Sequence, residues 1–319
     1  MTANPPLTMV ISHPAADQYA ALIRARFPQV RTIAALDQAV LERHIGEAEA
    51  LLAFRFPVEL FNRARKLRWF QSTGAGVDSM FTLRERADHI TVTNARGIHG
   101  DLIADYVMGG IAVLHWDFRA FLREQADKKW DFRMVSPLAD KSLGVIGLGS
   151  VGSTIARRAK SAGMTVLGTR RNASQPVQGV DQLFAADALK EMLPFCDFVV
   201  AAVPSTSETV GLLGSAEFAC MRRTAFLLNV ARGNVIVENE LIDALQAGVI
   251  AGAMLDVFEY EPLPQESPLW NMQNVIVTPH VSGMPTEYVQ RAFAIVAENI
   301  ERFLSGRALM NVVDLRRGY

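Results

Sequence analysis

Short apolar runs alternate along this chain with stretches whose apolar residues recur every three or four positions. Thr8 to Ile11, Ala50 to Ala53, Trp69 to Gln71 and Thr91 to Thr93 have the run length and composition of strands, and Asp17 to Arg26 has a helical pattern. Such alternation predicts a parallel sheet with crossover helices. A long helical pattern starts near Asp101, which can serve as its N-cap after Gly100, and runs towards Lys128. Six further strands are predicted after it: Leu143 to Ile146, Thr165 to Leu167, Phe198 to Val203, Ala225 to Val230, Gly252 to Asp256 and Val275 to Thr278. With helices between them they suit a doubly wound sheet. The last helix, Thr286 to Leu304, follows that series and is expected to return to the first domain. The predicted organisation is thus α/β in two domains, each with a mainly parallel sheet flanked by helices. One domain takes residues 1–100 and 283–319, the other 101–282.

Bulk properties narrow the classes of function. At 319 residues the chain exceeds the size at which single cores stop growing, and half its residues are hydrophobic, enough for two cores. A formal net charge of -1 provides no field for nucleic acid or for an anionic membrane surface, so neither partner is expected. Cys196 and Cys220 lie in apolar surroundings without metal-ligand spacing; they are expected to be free thiols of a cytoplasmic protein, and no metal is expected. Met1 to Ser12 carries no basic region and only a short apolar run, so no signal peptide is read there. The most apolar helix candidate, Tyr106 to Trp116, is far shorter than the roughly 20 residues that a bilayer crossing needs.

The densest signal is Gly147-Leu148-Gly149-Ser150-Val151-Gly152. An apolar run precedes it, a helical stripe of Val151, Ile155, Ala159 and Ala162 follows, and a second run begins at Met164. Strand, glycine turn, helix and strand form the context in which this spacing means dinucleotide binding. Gly147 permits the tight turn, Gly149 admits a pyrophosphate to the backbone, and Gly152 lets helix and strand pack closely. Amides at the helix start then face the phosphates. An NAD-specific fold places a carboxylate about 20 positions after the first glycine, on the ribose 2′-hydroxyl. Here the second strand ends Gly168-Thr169-Arg170-Arg171-Asn172, with no carboxylate. Two guanidiniums there welcome a 2′-phosphate, so NADP(H) is preferred, with NAD(H) as the second choice.

Three later segments put ionisable residues just after strands, where ligands of such sheets bind. They are Leu228-Asn229-Val230-Ala231-Arg232-Gly233, Leu255-Asp256-Val257-Phe258-Glu259-Tyr260-Glu261-Pro262 and Val277-Thr278-Pro279-His280-Val281-Ser282-Gly283. Together with the glycine turn, from roughly Glu47 to Val312, these motifs resemble the D-isomer-specific 2-hydroxyacid dehydrogenase family. The resemblance implies a Rossmann-type dinucleotide domain inserted into a flavodoxin-like substrate domain, with a cleft that closes over substrate. It also implies that Arg232 binds substrate, that His280 is the acid/base and that Glu261 is its carboxylate partner. An arginine anchors a carboxylate bidentately and polarises the neighbouring carbonyl. Histidine exchanges a proton near neutral pH, and a glutamate on its other nitrogen fixes the tautomer and stabilises imidazolium.

The same resemblance assigns further positions. Ala75, Gly76 and Val77, within Ser72 to Asp78, match the substrate loop, alongside Arg232 and His280. Gly147, Gly149, Ser150, Val151, Gly152, Thr169, Arg170, Arg171, Val203, Pro204, Ser205, Val230, Ala231, Asp256 and Gly283 match cofactor contacts. Arg96 and His99 stand where the family crosses between domains, either facing the cleft or in an exposed hinge. Among family members the closest likeness is to NADPH-dependent glyoxylate/hydroxypyruvate reductases. Neither the regulatory domain of longer phosphoglycerate dehydrogenases nor the N-terminal extension of formate dehydrogenases is expected. A small 2-oxo or 2-hydroxy acid substrate and a homodimer joined through the Asp101–Gln125 helix are further expectations that the resemblance implies. The alternative from another class is a nucleotide-sensing, corepressor-like binding protein of the same fold.

Overall fold

The computed structural model describes residues 7–318; residues 1–6, part of the segment in which no signal peptide is read, lie outside them. The chain divides into two compact units, one taking residues up to Ile98 together with those from Pro285, the other running from His99 to Met284.

The first unit holds a five-stranded parallel sheet of β1 (Thr8–Ser12), β2 (Arg31–Ala34), β3 (Ala50–Ala53), β4 (Trp69–Ser72) and β5 (Thr91–Thr93). Its order is β2-β1-β3-β4-β5, the flavodoxin-like arrangement. The strands β3 and β4 are buried throughout; β3 accordingly reads as an unbroken apolar run, while β4 carries the buried polar residues Gln71 and Ser72. The edge strand β2 was not predicted. Its Arg31-Thr32-Ile33-Ala34 is partly exposed, and a short edge strand with polar residues leaves little hydrophobic signal. Within the sheet, Thr93 Oγ1 accepts the Trp69 indole N–H at 2.7 Å and donates to the Gln71 side-chain oxygen Oε1 at 2.8 Å. The Asn299 amide also donates to Gln71, at 2.9 Å, and this satisfied polar network ties the last helix to the sheet.

The second unit holds a seven-stranded parallel sheet: β6 (Ser142–Ile146), β7 (Thr165–Arg170), β8 (Gln182–Ala185), β9 (Phe198–Ala201), β10 (Phe226–Asn229), β11 (Gly252–Leu255) and β12 (Val275–Val277). The order β12-β11-β10-β9-β6-β7-β8 is the Rossmann order extended by one strand. The sequence reading expected six strands and missed β8, again a partly exposed edge. The helix expected from Asp101 to Lys128 is two helices, Gly100–Trp116 and Phe118–Ala126. Asp117 separates them in the left-handed region (φ 50°), and its carboxylate caps the second by accepting from the Ala120 amide at 3.2 Å. Asp101 is not the N-cap: the helix starts at Gly100, and exposed Asp101 lies in its first turn, where an acidic side chain suits the helix dipole. Among the described residues no helix is long and apolar enough to cross a membrane.

Candidate active site

The strand order of the second unit reverses between β6 and β9, and the glycine turn leaves β6 at that switch point. Gly147 adopts φ +91°, and a methyl group there would come within 2.5 Å of Val203 Cγ1. A methyl on Gly152 would lie 1.9 Å from the Gly147 carbonyl oxygen, so both positions require glycine. Over Gly149, by contrast, there is open space. The helix Ser150–Ser161 begins there without a side-chain cap, and its first intrahelical bond runs from the Ser153 amide to Gly149 O, 2.9 Å. The amides of Ser150, Val151 and Gly152 precede that bond, so they are donors for an anion placed over Gly149. The residues present therefore fit a dinucleotide pyrophosphate.

Arg232 leaves β10 through a turn locked by Asn229, whose side chain accepts from the Ala231 amide and donates to Arg232 O, both at 3.0 Å. Asn229 is 1% exposed, so the lock is dry. The next residue, Gly233, packs so closely on the 258–259 peptide that a Cβ would lie 1.8 Å from Phe258 C. This approach fastens the Arg232 turn to the loop after β11. In that loop the Phe258 amide donates to Glu261 Oε1 at 3.1 Å. The other oxygen, Glu261 Oε2, lies 2.8 Å from His280 Nδ1. With its Nδ1–H on the carboxylate, His280 keeps Nε2 as the nitrogen able to exchange a proton.

His280 is held in the left-handed region (φ 53°), uncommon for a residue other than glycine. Asp256 supports it. Its carboxylate is fully buried and accepts from the Val281 amide, the Ser282 amide (each 2.9 Å) and Thr278 Oγ1 (2.6 Å), while its backbone oxygen accepts the His280 amide at 2.9 Å. Thr278 in turn bonds the Tyr106 phenol at 2.6 Å. Burial pushes the Tyr106 hydroxyl up to about 12, which keeps it protonated as a donor. Asp256, read in the sequence as a cofactor contact, thus anchors the loop that presents His280.

The remaining positions fall as follows. Arg170 ends β7 half-buried, and exposed Arg171 pairs with Glu208 at 2.6 Å. Thr169 is buried, and its hydroxyl accepts from the Gly147 amide at 3.3 Å, so it braces the glycine turn. Val203 and Pro204 follow β9; Ser205 is buried and accepts from Asn234 at 3.0 Å. Val230 and Ala231 are buried beside the Arg232 turn. His99 is only 7% exposed, with Cδ2 3.5 Å from where a Gly283 Cβ would stand. Burial, then the Arg232 charge, pushes its imidazole down to about 4, so it is neutral at physiological pH. Arg96 is exposed. In the first unit, Ala75, Gly76 and Val77 follow β4 in a loop whose Gly74 amide donates to Ser72 Oγ at 3.1 Å. Sequence reading missed Asn229, Gly233, Thr278 and Tyr106 as supports. The asparagine-to-glycine turn after β10 carried a local signal; the Tyr106–Thr278 pair, 172 positions apart, carried none.

Comparison with known proteins accords with this geometry. Residues 108–282 match the family model "D-isomer specific 2-hydroxyacid dehydrogenase, NAD binding domain". A glyoxylate reductase of Korarchaeum cryptofilum is 32% identical over 289 residues, 87% of this chain and 86% of its own. A D-isomer specific 2-hydroxyacid dehydrogenase family protein from Aeromonas salmonicida, known by crystal structure, is 37% identical with a TM-score of 0.87, over 97% and 99% of the two chains. An NADPH-dependent glyoxylate/hydroxypyruvate reductase from Sinorhizobium meliloti, crystallised with NADP and sulfate, is 31% identical with a TM-score of 0.89, over 98% and 100%.

Proposed function

The chain belongs to the D-isomer specific 2-hydroxyacid dehydrogenase family, and we propose that within it the protein is an NADP(H)-dependent reductase of small 2-oxo acids of the glyoxylate/hydroxypyruvate type. The observation that carries this reading is the 2.8 Å contact between His280 Nδ1 and Glu261 Oε2. Both side chains remain partly accessible, at 43% and 32%, as a pair that meets substrate must.

When bound, the nicotinamide supplies the hydride that reaches the substrate's C2. Arg232 binds the substrate carboxylate and polarises the C2 carbonyl with its planar set of donors. His280 delivers a proton from Nε2 to the carbonyl oxygen as that oxygen gains charge. Glu261 keeps the proton on Nδ1 and balances the imidazolium form. Backbone amides of Ala75, Gly76 and Val77 provide further donors to the carboxylate. In the oxidative direction His280 takes the proton back.

Preference for NADP(H) rests on Arg170 and Arg171, which stand where a carboxylate would select NAD(H). The Sinorhizobium meliloti structure with NADP supports the same choice. Homodimer formation is supported by the unusual exposure of Trp130 (96%), Phe132 (80%) and Met134 (90%) in the second unit.

The test is NADPH consumption with glyoxylate, hydroxypyruvate, pyruvate and bulkier oxo acids. Turnover of the small members supports the reading. Cofactor binding without turnover on any of them would contradict it and favour the nucleotide-sensing alternative.

A further inference from the structure

The loop after β4 is fixed at three successive carbonyls. Thr73 O accepts the Tyr288 phenol at 2.9 Å, Gly74 O the Ala95 amide at 2.8 Å, and Ala75 O the Asn94 side-chain amide at 2.6 Å. In a trans peptide the N–H points opposite to the C=O, so fixing three carbonyls fixes the amides of Gly74, Ala75 and Gly76. Two of those three bonds come from side chains that the proposed chemistry does not use. Asn94 is 4% exposed, and its Oδ1 accepts from the Arg96 amide at 3.2 Å, which sets its Nδ2 towards the loop. Tyr288 opens the helix Tyr288–Leu304, and burial raises its hydroxyl to about 12, which keeps it a donor at working pH.

We propose that Asn94 and Tyr288 are positioning residues for substrate binding: with the Gly74 amide held by Ser72 Oγ, they fix the 73–76 backbone so that the amides of Ala75 and Gly76 face the substrate carboxylate. This inference rests on the reading of residues 72–78 as the substrate loop.

The test compares Tyr288→Phe and Asn94→Asp with the unsubstituted protein. Asn94→Asp keeps size and the Arg96 contact but turns a donor facing Ala75 O into an acceptor. Each substitution is expected to raise KM for the oxo acid roughly three- to tenfold, the effect of one net hydrogen bond. KM for NADPH and kcat are expected to hold. An unchanged oxo-acid KM in Tyr288→Phe and Asn94→Asp would overturn the proposal. So would parallel losses in kcat and both KM values with a lowered Tm, the mark of a merely structural role. Turnover by the unsubstituted protein that is lost in His280→Ala upholds the dehydrogenase reading on its own, so the two failures are distinguishable.

Discussion

Glu261 Oε2 and His280 Nδ1 meet at 2.8 Å between loops that leave adjacent parallel strands, β11 and β12. Adjacent strands place their C-terminal loops side by side, so a histidine after one and a glutamate after the other reach each other without a long detour. Replacement of Glu261 by Gln keeps the size and a hydrogen bond but removes the charge that balances imidazolium. The expected result is a fall in kcat of roughly 10- to 100-fold with KM for NADPH unchanged, read by steady-state kinetics. An unaltered kcat would separate the contact from catalysis.

Cofactor choice is expected to depend on a competition at the end of β7. Glu208 already holds Arg171 at 2.6 Å, and a 2′-phosphate must share or displace that carboxylate. Glu208→Gln should therefore lower KM for NADPH several-fold, while Arg170→Asp should move the kcat/KM ratio towards NADH. Ratios that stay constant in both variants would exclude this end of the strand as the selector.

His99 makes stability depend on pH in a defined direction. An unfolded histidine binds a proton near pH 6.5, whereas this one holds out until about 4. Between those values the unfolded chain binds more protons, so the contribution is complete above about pH 6.5 and is lost as pH falls towards 4. Its size is up to about 3 kcal/mol. Burial lowers His13 as well, adding to the same trend. Urea unfolding across this window should show a slope that His99→Phe flattens; equal slopes in the two proteins would contradict the assignment.

Exposure of Trp130, Phe132 and Met134 leaves an apolar patch in water that a second copy would cover. Light scattering is expected to give twice the mass of the 35.1 kDa chain, falling to one copy in Trp130→Lys/Phe132→Glu. A monomeric unsubstituted protein would refute the dimer.

Much of the fold was legible because central strands are buried on both faces and announce themselves as apolar runs, as Ala50–Ala53 and Phe198–Ala201 do. The glycine turn was legible for another reason: the backbone itself demands Gly147 and Gly152, leaving no other residue possible. Edge strands β2 and β8 escaped because solvent tolerates their polar residues, and the break at Asp117 escaped because an aspartate that caps also fits within a polar helix face. At the candidate site the ionisable side chains stood in readable motifs, but their supports did not. The bonds of Asp256 to Thr278, Val281 and Ser282, which brace the His280 loop, left no mark in the local sequence. Such supports depend on which loops become neighbours, and that is decided by strand order, which no local pattern records.

The measurement that bears most directly on the whole account is NADPH oxidation with glyoxylate or hydroxypyruvate by the unsubstituted protein and by His280→Ala, side by side. The account predicts steady turnover in the first and a loss of kcat of roughly 100-fold or more in the second, with NADPH still bound. Equal rates in the two proteins would contradict it.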